Sequence, residues 1–349
     1  MRYNKKICGG KRIESIDVCK AIGIILVVLG HTNNIPYNLY IAIFSFHMPF
    51  FFILSGYVYS REKNEAISFG KYAAKKFRQY MVPYFVFGFI DFAVDIVWRL
   101  TLSKQVVDWG YVLRSLRGIL LCDLNLPRMC CPIWFLLCLF LSSLLFRQIL
   151  KAKVKIRCVL MLVMVLLHFI WVTCLLPVFP GVFEFPDVLI AVFFMWVGYL
   201  FRRLTETGRV PLKGKMPAIV SAVLSAACIT VVLLTQNKAN MRAEVYGNYA
   251  IFLVTSILIS VSLICLSDNL SFLNNRFTRW LGKNTVYIVG LNYVCLDVST
   301  EFYYLIPVVK HYSIHWTVSF LLTLAFCMAC IPVCNLCKRW WLQRRGETR

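Results

Sequence analysis

Residues 24–34 read IILVVLGHTNN. From Ala21 to Leu29 no side chain is polar, and the run closes on Gly30 and an imidazole, His31. A helix needs about 20 apolar residues to cross a hydrocarbon core of about 30 Å. Runs of that kind recur at 15–33, 40–60, 80–98, 132–150, 157–176, 187–203, 216–235, 248–267, 285–305 and 315–336. Hydrophobic residues make up 60% of the 349, and mean hydropathy is +0.70, against roughly 45–50% apolar residues in soluble domains. The reading is an all-α polytopic membrane protein, a bundle of about ten transmembrane helices. A membrane β-barrel would show short alternating segments instead.

The net charge of +22 raises the question of nucleic acid, and its distribution answers it. Of the 38 Lys and Arg, 29 fall on one side of the marked spans. They lie before the first span, in 61–78, 147–157, 202–215 and 276–283, and in the tail. Eight fall on the other side (Arg99, Lys104, Arg114, Arg117, Arg128, Lys238, Arg242, Lys310), and Lys20 lies inside a span. This is a positive-inside bias, which places both termini in the cytoplasm. The basic excess serves topology and anionic lipid, so the partner is membrane lipid and not nucleic acid. A cytoplasmic (inner) cell membrane, crossed many times, is the expected location. No small-residue cleavage site follows the first span, so it is expected to stay as a helix and not to leave as a signal peptide.

No Gly/Ser/Pro-rich linker, repeat or low-complexity tract divides the chain. It reads as one integral-membrane domain over 1–349, with a basic cytoplasmic N-terminus (1–14) and a cytoplasmic tail (337–349). The long connection 99–131 contains Val106, Trp109, Leu113, Leu116 and Leu120 near helical spacing, which predicts an amphipathic helix on the outer surface. Most of the 15 cysteines lie in apolar spans as small hydrophobes. Cys334 and Cys337 form a CxxC without a second pair.

Ionisable groups inside spans cost roughly 2.5–3.5 kcal/mol each on insertion scales and are functional candidates for that reason. The first span carries Asp17, Lys20 and His31. Eleven residues at 100° each bring His31 to within about 20° of Lys20, and fourteen bring it within about 40° of Asp17, so the three share a stripe. Lys20 and His31 are about 16 Å apart along the axis. Each also has an ordinary reading: Lys20 reaching the headgroups, Asp17 capping, His31 at the opposite interface. In the second span His47 precedes Pro49, which frees a backbone carbonyl. His31 and His47 fall at similar depth on adjacent antiparallel helices, an arrangement suited to proton transfer. No third ligand has helical spacing to either, so no metal is expected. Lys75 and Arg78 share a face of the helix entering the third span, a geometry suited to phosphate. Asp91 and Asp95, one turn apart, are expected to pair with a cation from a neighbouring helix. Trp134 opens the fourth span, and Asn284 and Asn292 lie near the start and middle of the ninth.

The motifs RIESIDVCKAIGIILVVLGH, FHMPFFFILSGYVY, KKFRQYMVPYF, PIWFLLCLF and WLGKNTVYIV occur in that order. Together they resemble the membrane acyltransferase-3 family, and within it the fucose 4-O-acetylase-like branch, over nearly the whole chain. The resemblance implies about ten helices and transfer of an acyl group, usually acetyl from acetyl-CoA, to a hydroxyl of a cell-surface sugar. By position, His31 matches the family's first-helix histidine, and Lys20 stands where many members have Arg. Lys75 and Arg78 match a basic pair associated with the acyl donor, and His47 the histidine of the HMP motif. Asn292 departs from a histidine that many relatives have nearby.

The expected function is therefore an acetyl-CoA-dependent membrane O-acetyltransferase acting on an exported or surface polysaccharide. Lys20, Lys75 and Arg78 would bind the donor on the cytoplasmic side. His31 would act as general base or transient acyl carrier. His47, Asp187 or Glu184 would orient it, and Asn33, Asn34 and Asn125 would bind the sugar. Asp17, Trp134 and Asn292 complete the supporting set. The alternative from another class is a transporter exporting a glycan or a modified glycan intermediate along the Asp17–Lys20–His31 stripe. Transporters usually show paired broken helices in matching halves, and no internal repeat is present.

Overall fold

A computed structural model describes residues 14–122, 126–175, 185–308 and 311–344. Among them the chain is helical, with a single antiparallel bridge between Asn240 and Val245 and no strand. The first helix, α1 (Glu14–Gly30), leads to a pair, α2 (Tyr37–Phe44) and α3 (His47–Tyr57). The short α4 (Arg61–Glu65) follows, then α5 (Phe69–Lys76), a π-helical turn (Phe77–Met81) and α6 (Val82–Thr101). Next come α7 (Trp109–Leu121), a 3₁₀ turn (Arg128–Ile133) into α8 (Trp134–Ile149), and α9 (Val154–Ile170). The chain continues through α10 (Phe185–Glu206), α11 (Lys215–Leu234), α12 (Tyr249–Asn269), α13 (Arg276–Lys283), α14 (Thr285–Tyr304) and α15 (Trp316–Arg344).

Eight helical stretches among the described residues are long and apolar enough to cross a membrane. They take up the marked spans from 40 to 267 and the one at 315–336. The remaining two marked spans are α1, with 17 residues, and α14, whose apolar character is diluted by Asn292, Asp297 and Glu301. The outer faces are apolar: Val159, Leu162 and Leu166 on α9, and Ile219, Val220 and Val223 on α11, are all exposed. Hydrocarbon solvates such faces, and water does not.

Two local breaks follow from proline. The second span is not one helix. Pro49 has no N–H for the carbonyl of Ser45, and its ring crowds that carbonyl. The chain accordingly stops α2 at Phe44 and restarts α3 at His47, with Phe46 at φ −143° between them. The third helix starts earlier than the sequence marks it and runs from Phe69 to Thr101. It widens into a π turn just before Pro83; such turns are frequent at functional sites. Lys75 and Arg78 thus lie within the helix that enters the third span.

Glycines let backbones touch where α3 crosses α10. A Cβ on Gly56 would lie 1.8 Å from the Met195 carbonyl oxygen, and one on Gly198 would lie 1.9 Å from that of Ile53. The helix α1 lies inside the bundle, against α3, α12, α13 and α14. The amphipathic surface helix is present as α7, capped by Asp108, whose side chain accepts from the Tyr111 amide at 2.6 Å. It buries Ser115, Gly118 and Ile119 and exposes Trp109, Leu113 and Leu120. Asp95 is paired, though not across helices to a cation: it accepts from Arg99 of its own helix at 2.9 Å and from the Tyr111 hydroxyl of α7. Asp91 is fully buried, and neither carboxyl oxygen has a hydrogen-bond partner among the described residues.

Candidate active site

The site is built where α1 ends and α3 begins. At the last turn of α1, His31 folds back on its own helix, and Nδ1 lies 2.7 Å from the carbonyl oxygen of Val27. At the first turn of α3, His47 does the same, with Nδ1 3.0 Å from the carbonyl oxygen of Ile43 in α2. That contact spans the break between α2 and α3. A carbonyl only accepts, so each Nδ1 carries a proton and donates it. In the neutral ring Nε2 then holds a lone pair.

The two rings stand 6.3 Å apart, centroid to centroid, nearly edge to face. Phe44 packs against both, at 5.5 Å from His31 and 4.7 Å from His47, and Tyr40 stacks on Phe44 at 4.1 Å. On the opposite side of His31 lies Tyr293 of α14, at 5.3 Å. Both histidines open into a small cleft of about 40 Å³. Val27, Phe44, Met48, Phe51, Pro132, Trp134, Phe135, Met241 and Val289 form its apolar wall, and Asn240 and Arg242 its polar edge. His47 is 2% exposed, whereas His31 is half-buried, so His31 is the more reachable imidazole.

Of the residues named from the sequence, the fold brings His31, His47 and Trp134 together here. Asn33 and Asn34 turn the other way. The Asn33 amide donates to Ser319 Oγ at 3.2 Å, and its Nδ2 to Thr300 Oγ1 at 2.8 Å. Asn34 sits at φ +56° and its Nδ2 donates to the Ile314 carbonyl at 2.8 Å. Both tie the end of α1 to α14 and the start of α15. Replacing Asn34 with Ala is expected to lower stability by about 2 kcal/mol, through the lost bond and the left-handed backbone. Asn34→Gly keeps the backbone relaxed and should lose about half as much. Thermal melting in detergent checks this order, and equal melting of the two variants would contradict it.

Asp187 lies elsewhere. It is buried on α10, accepts from the Tyr246 hydroxyl at 2.5 Å, and has His168 Nε2 at 4.0 Å. Burial and the adjacent carboxylate push the Tyr246 phenol well above its usual range. His168 in turn contacts the hydroxyls of Tyr246 (3.1 Å) and Tyr249 (2.7 Å). His31 is thus oriented by a backbone carbonyl, not by Asp187. Glu184 and Asn125 lie outside the described residues. Asn292 is fully buried on α14, with no hydrogen-bond partner for either side-chain polar atom among the described residues. Its neighbour Tyr293, one 100° step around the helix, is the residue that reaches His31.

Asp17 and Lys20 occupy the other end of α1. Asp17 is buried where α13 presses on α1: a Cβ on Gly282 would lie 1.9 Å from the Asp17 carbonyl oxygen. Lys75 and Arg78 are exposed on the α5–α6 helix. Lys76 between them is half-buried, with Nζ 5.7 Å from the Tyr72 ring and 5.1 Å from Tyr80.

The sequence reading also missed two arginines, one beside Tyr293 and one at the cleft. Arg128 sets its guanidinium 5.2 Å from the Tyr293 ring and pairs with Asp297 at 2.5 Å. Arg242 reaches the cleft on the hairpin between α11 and α12. No local pattern marks these residues, since each arrives from a different part of the chain. Among the described residues no group of three or more His, Cys, Asp or Glu is placed to hold a metal ion.

An aromatic cleft with a reachable imidazole, within a bundle of membrane-length helices, defines a membrane-embedded protein equipped for acid–base or acyl chemistry. The chain belongs to the acyltransferase-3 family: the family profile described as "Acyltransferase domain" matches residues 13–332. It is accordingly a multi-pass membrane acyltransferase. No curated protein and no solved structure matches it in the same kind of comparison.

Proposed function

We propose that this acyltransferase is an acetyl-CoA-dependent O-acetyltransferase of the fucose 4-O-acetylase-like type. It moves the acyl group from the cytoplasm to a sugar hydroxyl of an exported or cell-surface polysaccharide. The observation that carries the reading is the His31 imidazole: its Nδ1 is committed to the Val27 carbonyl, and its ring opens on the cleft. A lone pair held in this way is a general base.

In this reading the bundle has ten crossing helices, α1 and α14 included, with both termini cytoplasmic. Lys75, Arg78 and Lys20 stand at the cytoplasmic end and receive the donor's phosphates. His31 takes the proton of the sugar hydroxyl as its oxygen attacks the thioester carbon. The C–O bond forms, the C–S bond breaks, and His31 returns the proton to the departing sulfur. His47, whose ring meets that of His31 nearly edge to face at 6.3 Å between centroids, shapes the cleft with Phe44. Trp134 offers an aromatic face to the sugar. The family match favours this enzyme over an exporter.

The test uses membranes containing the protein, acetyl-labelled acetyl-CoA and endogenous glycan. Label is expected in lipid-linked or polymeric glycan, in the form of an ester released by mild base. Absence of label, combined with loss of glycan export on deletion, would replace the enzyme with the exporter.

A further inference from the structure

The hairpin between α11 and α12 serves two clefts. Asn240, Met241 and Arg242 line the histidine cleft, and Glu244, Tyr246 and Gly247 line a second. The histidine cleft, at about 40 Å³, holds a few water-sized groups. That is room for a reacting hydroxyl and too little for a sugar chain. The second cleft is larger, about 360 Å³, within the size range of small-molecule sites. Phe169 and Thr173 at the end of α9 and Tyr249 at the start of α12 complete its wall.

That wall is held by a buried chain of hydrogen bonds with no part in the chemistry at His31. Tyr246 donates its one hydroxyl proton to Asp187 at 2.5 Å. Its oxygen therefore accepts from His168 Nε2 at 3.1 Å. In the neutral ring Nδ1 then keeps the lone pair, and the Tyr249 hydroxyl donates to it at 2.7 Å. His168 is fully buried, and the two tyrosine rings pack on it at 4.8 and 5.6 Å. Both aromatic faces of the cleft are thereby fixed in place.

Glu244 supplies the polar group. Its Oε2 is buried, with no hydrogen-bond partner among the described residues. Burial pushes this carboxyl up from its ordinary range, and the Arg242 charge opposes the shift. Glu244 sits at φ +51°, a left-handed conformation that is costly for a residue with a side chain. Glycine would suit the turn better, so the turn itself gives no reason for a carboxylate there. The Thr173 hydroxyl donates to the Phe169 carbonyl at 2.7 Å, which leaves its oxygen as a further acceptor. Acceptor oxygens between aromatic rings match the hydroxyl donors and the C–H faces of a sugar. The Arg242 charge beside Glu244 disfavours a cationic occupant.

We infer that the second cleft is an acceptor subsite: it holds one sugar residue of the glycan chain while a hydroxyl of another residue reaches His31. This rests on the acyltransferase reading above and adds where the acceptor is gripped.

The experiment uses the full chain in nanodiscs, labelled acetyl-CoA, and fragments of the producing cell's surface polysaccharide. The fragments are freed of esters with mild base and sized into disaccharides and longer chains. Wild type should show a KM lower by about 10-fold or more for the longer chains, the scale of a hydrogen bond to a charged group. In Glu244→Gly the ratio of the two KM values should fall toward one. Calorimetric binding of the longer chains, without acetyl-CoA, should weaken by the same factor. The glycine relaxes the backbone, so this variant should melt no lower than wild type, which separates a lost contact from misfolding. Equal wild-type KM values for both lengths would overturn the inference and leave the acyltransferase reading standing. So would a KM ratio, or a binding of the longer chains, that survives in Glu244→Gly. Label on neither length in wild type would remove the acyltransferase reading, and this inference with it.

Discussion

Replacing His31 with Ala is expected to reduce acyl transfer by about 10²- to 10⁴-fold, the range for removal of a general base. The loss should fall on kcat, measured with both substrates saturating, because the imidazole acts on the hydroxyl proton and not on the donor's phosphates. Folding should survive. Among the described residues, the one hydrogen bond that His31 makes through its side chain runs to the Val27 carbonyl at 2.7 Å. Its ring contacts are with Phe44, His47 and Tyr293, side chains held in place by their own helices. His31→Gln should be nearly as inactive, since an amide can donate to Val27 but has no basic lone pair. Transfer within threefold of wild type in either variant, with the protein intact on size-exclusion chromatography, would exclude His31 as the base.

Gly56→Ala is expected to destabilise the bundle by about 3 kcal/mol, at the upper end of overpacking effects. The added methyl would lie 1.8 Å from a backbone carbonyl, that of Met195. No rotamer change relieves such a contact, so α3 and α10 must separate. Gly198→Ala meets Ile53 at 1.9 Å across the same crossing and should behave alike. Because α3 carries His47, Met48 and Phe51 into the cleft, the displacement should also cost activity. A misplacement of about 1 Å in a catalytic geometry is worth roughly 10²-fold. Gly70→Ala is the control. It lies in α5 with nothing within 4 Å of the added methyl, and should be neutral or stabilising by about 0.5–1 kcal/mol. Thermal melting of the three variants in one detergent decides the matter. A Gly56→Ala protein that melts with Gly70→Ala would mean that α3 and α10 do not cross backbone to backbone.

The candidate site was partly legible. His31 and His47 stood out because polar groups in apolar runs are costly, and their equal depth on antiparallel helices made a meeting plausible before any coordinates. Trp134 was marked as an interfacial aromatic and proved to line the cleft. Asn33 and Asn34 were marked because they follow His31, and adjacency along the chain proved misleading. The helix ends at Gly30, the next residues turn, and their side chains fasten α1 to α14 and α15. Asp187 stood out as an outer acid that could orient His31, yet it meets His168 and Tyr246. Depth can be counted along a sequence; the direction in which a helix faces its neighbours cannot.

The sequence by itself determined the class of protein. Runs of about 20 apolar residues can only be helices in hydrocarbon, since every backbone group must be satisfied within its own segment. The proline at 49 already contained the break between α2 and α3, because that effect reaches only four residues back. These are local consequences, and local consequences can be read in order along a chain. The tertiary structure alone decided that Tyr293 and not Asn292 reaches His31, that Arg242 comes to the cleft on a hairpin, and that α3 and α10 touch through glycine. Each depends on the rotation and crossing of helices distant in sequence, and within a membrane that is set by close packing of side chains and backbones, without a polar pattern to announce it.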